Sequence, residues 1–291
     1  LDFKELNLTE LDKNLSEEQQ KEWNSIYASY RAKSILTGRV CGMDMKSMTV
    51  LDPETGASQR KEICCLVIIS YRVKVLIPEQ EIWYSDQEKR PIHVLRSMAG
   101  ATIDYVITNI DRENECCTAS RKEALQIRRH SFLKLAPEIG RKIPAQILAV
   151  GRHHLLCSCH GFDITLSQRD LSYAMLPDLR ERYHPGETYM SVIKNFEPEK
   201  NHLTVSVKEA EPHPFDGADL RHPVGSRRAS VITGKYKGGV FCKLEKNLDC
   251  MCIYSPDQYD ENFDIGDQVI VVITKFNYRQ KLVYGKIVAK W

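Results

Sequence analysis

The chain has 291 residues, 42% of them hydrophobic and 27% charged, with a formal net charge of +2. That composition is ordinary for a folded cytoplasmic protein of two domains or three small ones. No run of about 18 apolar residues occurs, so no transmembrane helix is expected. Leu1-Asp2-Phe3-Lys4 lacks the basic and apolar regions of a signal peptide, and Leu1 in place of Met implies that at least one residue has been lost.

From the N-terminus, Leu8, Leu11 and Leu15 follow helical spacing. Ser16, with Glu17, Glu18 and Gln19 after it, predicts an N-cap and capping box for a second short helix. Trp23, Ile26, Tyr27 and Tyr30 form its apolar stripe. That stripe either packs on the domain that follows or docks a protein partner. Ser34–Met43 then predicts an opening strand, Asp52–Gln59 a turn-rich stretch and Ile63–Val75 a long strand. Further opening strands are expected at Ile143–Val150 and Arg228–Lys235. In the last third, Gly238–Leu244 is a Gly turn with alternating residues after it, and Cys250–Tyr254 is a short strand.

Three segments repeat without a gap: Gly100–Ala124, Gly186–Ala210 and Gly266–Lys290, starting 86 and 80 residues apart. In each, Gly opens a β-branched run, a polar tetrad interrupts it, and a second apolar run closes it. Val106, Val192 and Val272 align, as do Ile107, Ile193 and Ile273, and then Ile110, Phe196 and Phe276. The tetrads Asp111–Asn114, Glu197–Lys200 and Asn277–Gln280 are the expected hairpin turns. The spacing leaves room for about five strands per unit, the size of a small Greek-key barrel.

The ten cysteines include Cys64-Cys65, Cys116-Cys117, Cys157-x-Cys159 and Cys250-x-Cys252. A strand puts i and i+2 on one face, so each CxC pair is expected on one side of a strand as reduced thiols. His153, His154, Cys157, Cys159 and His160 suggest a metal site, but one strand sends its neighbours to opposite faces, so no metal is expected. Asp257, Asp260, Glu261 and Asp264 cluster in the polar loop Ser255–Asp267, which fits a solvated acidic loop better than a metal-dependent nuclease site. Gly-rich phosphate loop, HExxH and GxSxG motifs are missing from the sequence, so no catalytic residue and no cofactor is expected.

The closing hairpins NIDRENECCTASRKEA and HLTVSVKEAEPHPF, and the run HPVGSRRASVITGKYKGGVFCKLE, carry a resemblance. They resemble the RNA-binding repeat of the ribosomal protein S-one family over about residues 31–291. The resemblance implies a mostly β chain of three tandem five-stranded OB-type barrels behind a short N-terminal helical segment. The segments are 1–30 (helical), 31–127 (first barrel), 128–215 (second, degenerate barrel) and 216–291 (third barrel). In the family an aromatic precedes the Gly of the second strand, another follows it, and a His lies on the third strand. The third unit keeps the second aromatic as Phe241, has Tyr236 two residues before the first aromatic position at Gly238, and has Ile253 at the His position. Leu76–Ile82 resembles the family's leading repeats that do not contact RNA, and the second unit offers only His153, His154 and Phe162 as stacking groups.

Binding a single strand needs cations for phosphates and aromatic planes for bases. Residues 1–29 carry three Lys and seven acidic residues, net −4, whereas residues 222–291 carry 11 basic and seven acidic residues, net +4. The expected RNA-binding residues are therefore Arg227, Arg228, Lys235, Tyr236, Lys237, Phe241, Lys243, Arg279 and Lys281. The alternative is a solvated basic face with Phe241 in the barrel core. The expected function is non-enzymatic binding of single-stranded RNA (mRNA) in translation, with the small ribosomal subunit and a protein at the N-terminal helix as further partners. The competing functions are a barrel scaffold docking a ribosomal or polymerase subunit, or a regulator that binds single-stranded DNA.

Overall fold

The structure, a computed structural model, describes residues 15–51, 58–173, 176–236, 239–245 and 248–291, with side chains except at 48–51 and 58–61. Leu8, Leu11 and most of the Asp52–Gln59 stretch lie outside the described residues. The first helix described is Glu17–Ala32. Its capping box forms as expected: the Gln19 N–H donates to Ser16 Oγ at 3.3 Å, and the Ser16 N–H donates to Gln19 Oε1 at 2.9 Å. Trp23 and Ile26 are buried in the core of the first unit, so the stripe packs on its own chain, while Tyr30 stays exposed. Two side chains lock the helix in place. Glu22 accepts the N–H groups of Tyr71, Arg72 and Val73, and Ser29 Oγ accepts the Ile107 N–H at 3.1 Å.

The first unit holds β1 (Leu36–Leu51), β2 (Ser58–Ile69), β3 (Lys74–Pro78), β4 (Thr102–Asp111) and β5 (Cys116–Ser120). They close into a barrel in the order β1-β2-β3-β5-β4, with β3 and β5 parallel. The apolar run Ile63–Val75 is thus two strands and not one. Ser70–Val73 turns without Gly or Pro because Glu22 supplies the acceptors that its N–H groups need. The helix Arg121–Lys134 follows, capped by Ser120, whose Oγ accepts the Glu123 N–H at 3.0 Å.

The second unit holds β6 (Lys142–Val150), β7 (His154–Cys159), β8 (Phe162–Ser167), β9 (Thr188–Glu197) and β10 (His202–Ser206). Its order is β10-β9-β6-β7-β8, an open five-stranded sheet where the first and third units are closed barrels. Strands β7 and β8 are only six residues each. His160 and Gly161, both at positive φ, join them in the tight bend that a two-residue hairpin needs. The third unit holds β11 (Arg227–Tyr236), β12 (Gly239–Glu245), β13 (Leu248–Tyr254), β14 (Gln268–Asn277) and β15 (Leu282–Lys290), closed in the order β11-β12-β13-β15-β14.

The repeat is visible in the backbone itself. Gly100, Gly186 and Gly266 stand at φ of 88°, 92° and 100°, two residues before β4, β9 and β14. Their N–H groups donate to the carbonyls of Val40, Ile147 and Ile232 at 2.8, 2.9 and 2.8 Å. Each acceptor starts a register slip in its opening strand, at Val40/Gly42, Ile147/Ala149 and Ile232/Gly234. Glu115, Asn201 and Lys281, each 15 residues past the glycine, all take positive φ in the hairpin turn.

The chain divides into two compact units. One takes in the chain up to Thr165 together with Leu179–Thr204; the other is Leu166–Asp178 with Val205–Trp291. Among the described residues, no helix is long and apolar enough to cross a membrane.

Candidate nucleic-acid interface

Alternation sorts the third barrel into an inner and an outer surface. Val240 and Cys242 of β12 and Leu248, Cys250 and Cys252 of β13 are buried in its core. Phe241 and Lys243 face outward opposite Met251 and Asp249. Phe241 is half-buried on this outer face and is not among the buried core residues. Tyr236, 55% exposed, ends β11 with its ring edge-on to Phe241, centroids 5.4 Å apart at 87°. Gly234 makes room for that ring: a Cβ there would stand 2.7 Å from Tyr236 Cε2.

Tyr236 borders two hollows. One, of about 540 Å³, is also lined by Ile253, Tyr254, Lys235 and Asp260. In it, Lys235 Nζ donates to the carbonyls of Asp260 and Phe263 at 2.9 and 2.8 Å and pairs with Asp260 Oδ1 at 3.0 Å. Tyr254 donates its hydroxyl to the same carboxylate at 2.7 Å. These two donors, Tyr254 before Lys235, hold Asp260 below the usual carboxylate range. Burial and then the Asp260 contact push the Tyr254 phenol up. Lys235 is therefore an anchor for the loop after β13, and to reach a phosphate it would have to give up three partners.

The other hollow, of about 550 Å³, has Thr233, Gly234, Tyr236, Phe241 and Asp249 on the barrel side. Its opposite wall carries Arg169, Tyr173 and Lys208, which precede the barrel in sequence. That wall is built locally. Ser167 and Asp170 form a capping box for the short helix Gln168–Leu171, and the Val207 N–H donates to the Asp170 carbonyl at 2.8 Å. Tyr173 packs on His213 with ring centroids 4.1 Å apart. Phe215 then enters the barrel core, edge-on to Phe276 and Tyr278 at 5.9 and 5.6 Å.

The expected site residues are not all brought together. Tyr236, Phe241 and Lys243 share one region of β11 and β12. Arg227 pairs in register with Val272, and Val231 with Gln268, so β14 runs back past the start of β11. The turn carrying Arg279 and Lys281 thus lies at the far end from Tyr236, nine residues of β11 or roughly 30 Å away along the strand. Lys281 pairs with Asp216 at 3.2 Å, and Arg228 Nη2 donates to the Arg221 carbonyl at 2.7 Å. Arg227, Lys243 and Arg279 are exposed, with no ion pair from the described residues. Lys237 lies outside the described residues.

In the second unit Phe162 is buried, edge-on to Phe132 and Phe196 at 5.9 and 6.0 Å, and so presents no face to a base. His153 and His154 are exposed at the start of β7. Arg169, Tyr173 and Lys208 were not expected from the sequence. Nothing in their spacing marks them, because they reach the barrel only through the fold of residues 166–173 and 205–215. All ten cysteines are free thiols, and each CxC pair lies on one side of its strand as the spacing predicts, with all four sulfurs buried.

Comparison with known proteins adds sequence likeness. The small ribosomal subunit protein bS1 of Neisseria meningitidis is 21% identical over 199 residues, covering 65% of this chain. That of Chlamydia muridarum is 18% identical over 265 residues, covering 88% of this chain and 42% of its own length. The chain is similar to the bS1 ribosomal proteins. It spans about a third of the Neisseria bS1 protein, 35% of that length. A protein named 4-hydroxy-3-methylbut-2-enyl diphosphate reductase, from Clostridium tetani, is 20% identical over 225 residues, covering 72% of this chain and 34% of its own length. No family model matches.

Proposed function

We propose that this chain is a non-enzymatic, cytoplasmic RNA-binding protein whose three units are OB-type repeats of the S-one kind. It binds single-stranded RNA mainly through the third barrel, and it works in translation beside the small ribosomal subunit. The observation that carries this is the Tyr236–Phe241 pair on the outer face of a closed barrel, beside the exposed Lys243. Aromatic faces accept any base, and an unpaired cation follows the phosphates. Likeness to bS1 over most of the chain supports the same assignment. The internal partners of Lys235, Lys281 and Arg228 favour the second reading, a scaffold of barrels that binds protein.

Titrating the full chain with a labelled single-stranded RNA at several salt concentrations separates the two. Binding should weaken with salt, and Lys243→Ala should flatten the slope of log affinity against log salt by about 0.7. Phe241→Ala should cost about 1–3 kcal/mol with the slope unchanged, while Lys235→Ala should leave the slope alone. A folded chain with no salt-dependent RNA binding would reject the assignment in favour of the scaffold.

A further inference from the structure

The geometry points to the hollow beside Tyr236 and Phe241 as a seat for one nucleotide of a single RNA strand, completed by residues from outside the barrel. Arg169 and Lys208 take the phosphate, and Tyr173 faces the base from the wall opposite Phe241. This rests on the RNA-binding assignment above and adds that the barrel alone does not make the site.

The wall and the barrel face belong to the same compact unit, Leu166–Asp178 with Val205–Trp291. The hollow measures about 550 Å³, within the range of sites that enclose a small organic group. Its walls supply two different things. Tyr236 and Phe241 offer an aromatic corner on one side. On the other, Arg169 is exposed, and Lys208 Nζ stands 5.2 Å from the centre of the Tyr173 ring. Neither cation has an ion-pair partner among the described residues, unlike Lys235 and Lys281 on the barrel. Among the described residues of the lining Asp249 is the one carboxylate, and in register it faces Lys243 across β12 and β13. Two cations against one carboxylate leave net positive charge, which suits a phosphodiester with a single negative charge. The wall is also held before any ligand arrives, by the Val207-to-Asp170 hydrogen bond and the Tyr173–His213 contact. A pre-formed wall loses less order on binding.

The test uses the full chain and a labelled single-stranded RNA of about a dozen nucleotides, since a single strand commonly fills sites of this order. Arg169→Gln with Lys208→Gln keeps most of each stem and removes both charges. Salt titration of this double variant should give a slope shallower than that of the unsubstituted chain by about 1.4, two contacts of about 0.7 each. Its thermal midpoint should match, which shows that the fold is intact. Photo-crosslinking of the unsubstituted chain should attach a nucleotide to the peptide holding Tyr173 as well as to that holding Phe241. If the unsubstituted chain binds RNA and the double variant keeps the same slope, or no adduct forms at Tyr173, the site is confined to the barrel and this inference is wrong. If the unsubstituted chain shows no salt-dependent binding, the RNA-binding assignment itself fails, a result distinguishable from the first.

Discussion

Gly285 lies on the inner face of β15, where a Cβ would stand 2.5 Å from Val271 Cγ1 and 2.8 Å from Cys250 Sγ. Gly285→Ala should lower stability by about 1–3 kcal/mol, as overpacking of a filled core does. Cys250→Ala in the same chain should restore part of it; urea midpoints of the single and double variants measure both. His160 behaves differently. Its ring stacks on Phe132 at 4.8 Å, and burial, then Arg128 and Arg141, lower its pKa below the usual 6.5. The folded chain therefore binds this proton less readily than the unfolded chain does. Its contribution to stability is intact above pH 6.5 and is lost as pH falls from there through the folded value. Denaturant midpoints followed from about pH 8 to about pH 5 should fall more for the unsubstituted chain than for His160→Asn. Single side chains were the least legible part of the sequence. Lys235 reads as a phosphate ligand until Asp260, 25 positions later, is seen to hold it. Phe162 reads as a stacking group until Phe132 and Phe196 cover it.

Hairpins were far more legible, because a polar tetrad between two apolar runs dictates a local bend whatever lies beyond it. All three closing hairpins fall where Asp111–Asn114, Glu197–Lys200 and Asn277–Gln280 place them. The β2–β3 turn was not legible, since its acceptor, Glu22, comes from a helix some fifty residues earlier. The joint between the first two units rests on a buried ion pair that no pattern reveals. Arg121 and Asp163 side chains are each 1% exposed and meet through two hydrogen bonds of 2.7 Å, and Arg121 also donates to the Ile82 carbonyl. Asp163→Ala should cost about 3–5 kcal/mol, because it strands a buried guanidinium. Arg121→Met with Asp163→Leu should recover most of that loss, since two apolar side chains leave no charge to solvate. Comparing the unfolding free energies of the two variants decides it, and equal losses would mean that packing volume, not charge, dominates the joint.

At the scale of the whole chain, the two compact units make a single unfolding transition unexpected. Calorimetry should resolve two transitions. Single-stranded RNA should raise only the one belonging to Leu166–Asp178 with Val205–Trp291, because a ligand stabilises only the unit whose folded form binds it. A uniform rise of both would place RNA contacts in the other compact unit, the chain up to Thr165 with Leu179–Thr204, as well. In the open second sheet the Phe162 ring is spent on the Arg121–Lys134 helix, and the outer strands are short.

The left-handed residue at each hairpin tip is Glu115, Asn201 or Lys281. That conformation costs a side-chain-bearing residue about 1–2 kcal/mol, least for Asn, yet the bend is kept with a negative, a neutral and a positive side chain in turn. Glu115 is tied to Arg72 at 2.7 Å and Lys281 to Asp216 at 3.2 Å, so each charged tip has its own tether. Backbone shape and charge are thereby uncoupled at this one position. Units that share this bend can therefore differ in the charge they carry at the tip, and in the intramolecular tether it makes, by exchange of a single residue.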